Sequence, residues 1–131
     1  MSNDLRDTDR NYPGSGSDSG PELSDDRLYR ALASTQRRRL LYLLLDEREC
    51  PVETLATLLT GWVARDAGET KTAGDRKRIR LTLEHVHLPL LAETGLVSYD
   101  RQNGSVAIGS VSPAVEDLIS QSVESERPPP P

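Results

Sequence analysis

Residues 87–108 read His87-Leu88-Pro89-Leu90-Leu91-Ala92-Glu93-Thr94-Gly95-Leu96-Val97-Ser98-Tyr99-Asp100-Arg101-Gln102-Asn103-Gly104-Ser105-Val106-Ala107-Ile108. Within this stretch the hydrophobic period changes from about 3.6 residues to about 2. The change falls at Gly95, a residue suited to the left-handed end of a helix. Leu96-Val97-Ser98-Tyr99 reads as a strand, Asp100-Arg101-Gln102-Asn103-Gly104 as a turn, and Ser105-Val106-Ala107-Ile108 as the partner strand. Asn103-Gly104 is the strongest local turn signal in the chain, because both residues tolerate the positive φ of a tight hairpin. A helix that ends at Gly95 and leads directly into a β-hairpin is the expectation from which the rest is read.

Upstream, Thr72 and Asp75 match a capping box, a hydroxyl followed by a carboxylate one turn on, so this helix starts there. Ile79, Leu83, Val86 and Leu90 form its core stripe, which places Lys77, Leu81, Glu84 and Leu88 on the opposite side. Pro89 has no N–H for the carbonyl of His85, and the helix should kink or restart near His87-Leu88. Further back, Pro51 and the apolar positions Val52, Leu55, Ala56, Leu59 and Trp62 or Val63 predict a helix over 51–64, with a short strand at 48–50 before it. The run Leu40-Leu41-Tyr42-Leu43-Leu44-Leu45 holds no β-branched residue and predicts a largely buried helix over 35–47, capped by Ser34. Ser24 as N-cap, with Leu23 and Leu28 as hydrophobic staple, predicts a first helix over 25–33. Downstream, Ser112 and Pro113 open a last helix over 113–122 with Val115, Leu118 and Ile119 on one side.

The chain has 131 residues, enough for one domain, expected over 24–119. Residues 1–23 are rich in Asp, Ser, Gly and Asn, and 120–131 end in four prolines, so both ends are expected to be disordered. Apolar residues make up 35% with no Phe, which leaves Leu, Val, Ile and Ala to build the core. No secretory segment and no apolar run near the roughly 18 residues of a membrane span are present, so a cytoplasmic protein is expected. Cys50 stands alone, which excludes an intrachain disulfide.

The net charge of −5 resides in the ends: seven acids precede residue 27 against two arginines, and 27–119 is close to neutral. Lys71 and Lys77 are the only lysines among sixteen basic residues. This Arg bias, with plentiful Asp, resembles proteins of salt-loving archaea; a GC-rich genome accounts for the arginines as well.

The order helix, helix, short strand, helix, helix, hairpin, helix is that of a winged helix. Leu28-Tyr29-Arg30-Ala31-Leu32-Ala33, Arg37-Arg38-Arg39 with the Leu run, and the 87–99 segment resemble a haloarchaeal family of ArsR-like winged helix-turn-helix domains of uncharacterised function. The resemblance covers about 28–110. It implies that the fourth helix docks in the major groove of duplex DNA and that the hairpin contacts the backbone or minor groove. The residues matching those roles are Lys71, Thr72, Arg76, Lys77 and Arg80 on the helix, with Arg78 beside them, and Arg101, Gln102 and Asn103 on the wing. A transcription regulator acting as a homodimer follows, with Leu28, Val115, Leu118 and Ile119 at the interface.

Competing readings attach to the same residues. The basic cluster can be a solvated helix face paired with Asp75 and Glu84, and Leu81 and Leu88 can mark a protein-interaction module without DNA readout. Arg37-Arg38-Arg39 points in three directions on a helix; a solvated first turn is expected, with one arginine paired to an acid such as Asp46 or Glu47. His85 and His87 lie about 200° apart on a helix and cannot share a metal. No metal or cofactor is expected. Neither a Gly-rich phosphate loop nor a nucleophile elbow is present, so an enzyme is not expected.

Overall fold

The computed structural model describes residues 23–68 and 73–126. Helix α1 (Asp26–Leu32) is capped by Asp25, whose carboxylate accepts the Arg27 N–H at 2.8 Å, one residue later than the expected cap at Ser24. Helix α2 (Thr35–Glu47) is capped by Ser34 as expected. Its leucine run supplies the centre of the core: Leu40, Leu41 and Leu44 are fully buried. Strand β1 (Glu49–Pro51) and helix α3 (Val52–Ala67) follow, and α3 ends at Gly68 in the left-handed region. Helix α4 spans Ala73–Thr82, a π-helical turn spans Leu83–His87, and α5 spans Leu88–Thr94 before Gly95 at φ 84°. Strands β2 (Val97–Asp100) and β3 (Ser105–Ile108) form the hairpin, and α6 (Pro113–Glu124) closes the order, capped by Ser112.

The three strands make one antiparallel sheet in the order β1-β3-β2. Cys50 pairs with Val106 across β1 and β3, and Tyr99 with Val106 across β2 and β3. Leu28, Leu83, Leu91, Val97, Val106 and Ile119 all join the same core, so every helix layer rests on the leucines of α2 or their neighbours. The chain is thus mainly helical with a small three-stranded sheet, an arrangement compatible with a winged-helix-like fold.

The interruption expected near His87-Leu88 takes the form of a π turn, and it corrects the expected core stripe at Val86 and Leu90. The Leu88 N–H bonds the carbonyl of Leu83, five residues back, so one extra residue enters the turn. Pro89, near the start of α5, supplies the reason: it lacks the donor that an α-helical register would require at the His85 carbonyl. Beyond Leu83 the inward positions become His87, Leu88 and Leu91, whereas Val86 turns outward at 49% exposure and Leu90 is half-buried.

Two further expectations change. Residues 120–126 are not a disordered tail: α6 runs to Glu124, Val123 is fully buried, and Glu126 accepts from Arg38 at 3.0 Å and Arg39 at 3.3 Å. Leu28, Val115 and Ile119, expected at a dimer interface, are buried in the chain's own core, and Leu118 packs partly against it. Apolar area already withdrawn from water offers nothing more to a second copy. The leader up to residue 22 and the stretch 127–131 lie outside the described residues.

Candidate nucleic-acid interface

Helix α4 packs against α3, and that contact decides what its basic residues meet. Glu53, in the first turn of α3, takes both Arg76 and Arg80 on the same carboxylate oxygen, Arg76 at 3.0 Å. Arg80 also reaches Glu84 at 3.3 Å, and Arg78 lies 3.4 Å from Asp75. Lys77 is exposed and has no ion pair among the described residues. Lys71 and Thr72 fall outside them. The two arginines hold the Glu53 carboxyl below the usual carboxylate range, the Arg76 hydrogen bond acting most strongly.

On the hairpin, the Arg101 guanidinium stands over the Tyr99 ring at 5.7 Å from its centroid. Burial raises the Tyr99 phenol above its ordinary value; the Glu84 charge adds to this, and Arg101 and Arg80 oppose it. Arg80 of α4 and Arg101 of the hairpin therefore act on one phenol. Asn103 is committed to the turn, donating its backbone N–H at 3.1 Å and its side-chain amide at 2.7 Å to Asp100. Gln102 is exposed at the tip, and Gly104 takes φ 66°, the left-handed conformation the turn signal anticipated.

The expected protein-partner pair divides. Leu81 is 46% exposed, but Leu88 is wholly buried because of the π turn. Val86, expected inside, joins Leu81 among the exposed apolar residues of this segment.

The triple arginine is structural. Arg37 donates to the carbonyls of Arg30 and Ala31, and Arg38 to that of Leu32, satisfying the end of α1. Arg39, 9% exposed, stacks on Trp62 at 4.9 Å and pairs with Glu126 and Asp66. Arg37 also lies 3.3 Å from Nδ1 of His87, which is buried, while His85 is exposed. Burial pushes the Cys50 thiol up, with the Glu47 charge adding to the effect, so the thiol is poorly disposed to act as a thiolate.

Sequence reading missed Glu53 and Tyr99. Glu53 carried only the signal of an acid at a helix start, and its partners lie 23 and 27 residues away. Tyr99 read as an ordinary strand aromatic.

Fold and site together define a small, mainly helical domain with a three-stranded sheet and a helix whose arginines are held in an ion-paired network. The chain belongs to the family described as Domain of unknown function (DUF7344), whose model matches residues 29–107. Searches of curated proteins and of solved structures returned no significant match. No helix among the described residues is long and apolar enough to cross a membrane.

Proposed function

We propose that this chain is a winged-helix DNA-binding protein of the ArsR-like kind, a transcription regulator that engages duplex DNA as a homodimer. The observation that carries the reading is a basic helix, α4 with Arg76, Lys77, Arg78 and Arg80, in the same small domain as a hairpin that bears Arg101 at its turn. A helix for the groove and a hairpin for the backbone are what such docking requires. Arg76 and Arg80 are matched by carboxylates, which lowers the attraction of this surface for arbitrary polyanion. With Leu28, Val115 and Ile119 in the core, a second copy is assigned to the α2–α6 face, where Leu43, Leu45 and Leu118 remain partly uncovered.

A salt-titrated mobility shift with genomic fragments tests this reading. Retardation that weakens steeply as salt rises is expected; no retardation at the lowest salt refutes it.

A second reading is a protein-interaction module on the winged-helix scaffold. It rests on Leu81 and Val86, both about half exposed on consecutive turns of the α4 segment. No duplex binding at the lowest salt, together with a protein association that is lost in Leu81→Ser but kept in Arg80→Ala, would favour it.

A further inference from the structure

Arg76 and Arg80 stand one helical turn apart on α4, and both guanidinium groups close on a single oxygen, Oε1 of Glu53. Two arginine forks aimed at one anionic oxygen form a phosphate-binding arrangement, and here a carboxylate of the chain itself fills it. The surroundings suit an anion as well. Glu53 lies beside the N-terminus of α3, where Pro51 gives no side-chain cap, and borders an open hollow lined also by Thr54, Thr57 and Arg76. Glu53 is 55% exposed, so its pairs are of the weak, solvent-screened kind that a competing anion can replace.

Resting on the DNA-binding reading above, we infer that the Arg76–Arg80 pair is a seat for one backbone phosphate of duplex DNA and that Glu53 occupies it as an internal substitute. The phosphate must displace Glu53 to bind. The carboxylate therefore keeps the two arginines extended and in place while lowering their attraction for arbitrary polyanion. Glu53 acts as a specificity-determining residue: duplex that makes further contacts elsewhere on the protein pulls the phosphate in, and duplex that does not is turned away.

The test uses the full chain and a labelled mixed-sequence duplex of about 30 base pairs, followed by fluorescence anisotropy across a salt series. Glu53→Gln should bind about three- to tenfold more tightly than wild type at low salt, with a steeper salt dependence by up to about one unit. The gain should vanish in the Arg76→Ala/Arg80→Ala background. Asp117→Asn, on α6, removes the same charge away from α4 and should leave binding near wild type; Glu53→Ala replaces Glu53→Gln if the latter is not folded by circular dichroism. Wild-type binding with no tightening in the Glu53 variant overturns the inference and leaves the DNA reading standing. So does a gain equal to that of Asp117→Asn, or one that persists without the two arginines. A folded wild type that binds no duplex at the lowest salt overturns the DNA reading itself.

Discussion

Nη1 of Arg37 lies 3.3 Å from Nδ1 of His87, which ties the first turn of α2 to the π turn between α4 and α5. A guanidinium only donates, so Nδ1 accepts and the neutral imidazole carries its proton on Nε2.

That contact makes stability depend on pH. Burial, and then the Arg37 charge, lower the His87 pKa below its ordinary 6.5, so between the folded and unfolded values the unfolded chain binds the extra proton. The stabilising contribution is complete above 6.5 and is lost as pH falls through the depressed folded value. Denaturant melts from pH 8 downward should show a decline beginning near 6.5 that is reduced in His87→Gln. An identical decline in the variant would assign it to other groups.

Two glycines should respond in opposite directions to alanine. A Cβ on Gly109 would strike the backbone carbonyl of Gly95 and lie 3.1 Å from the Leu96 carbonyl carbon, where nothing flexible can yield. Gly109→Ala should cost about 1–3 kcal/mol in urea unfolding. Gly61, inside α3, would meet only the Arg65 side chain at 3.8 Å, and Gly61→Ala should add up to about 1 kcal/mol.

Arg39 should not tolerate lysine. Its guanidinium stacks on Trp62 and bridges Glu126 and Asp66, a planar, several-armed role that one ammonium cannot fill. Asp66 and part of Glu126 remain in water, which moderates the loss, and Arg39→Lys should destabilise by about 1–2 kcal/mol. An unchanged urea midpoint would show the bridge to be of no consequence.

Lys77 separates binding from folding. Exposed and without an ion pair among the described residues, it contributes nothing visible to the packed structure. Lys77→Ala should weaken duplex binding about two- to fivefold at low salt and flatten the salt dependence by about one unit. The melting temperature should stay put; equal binding by the variant would remove Lys77 from the interface.

Much of the architecture could be read from local pattern. Gly95 as helix stop, Asn103-Gly104 as turn, and Ser34 and Ser112 as caps all appear where expected, because each depends on neighbours within one turn. The end of α6 lies beyond the expected 122 because Val123 continues the spacing of Val115 and Ile119, whereas Glu126 finds Arg38 and Arg39 only across 88 and 87 residues of chain.

Composition and periodicity alone determined a leucine-built helical core, a hairpin after Gly95 and a basic α4, since side-chain period and turn chemistry act over a few residues. Tertiary structure decided what those cations and leucines face. Packing of α3 on α4 gave Arg76 and Arg80 to Glu53, and the π turn ahead of Pro89 exchanged Val86 for Leu88 in the core. Both outcomes turn on where a helix face points once it has neighbours, and a single inserted residue rotates that face by about 100°.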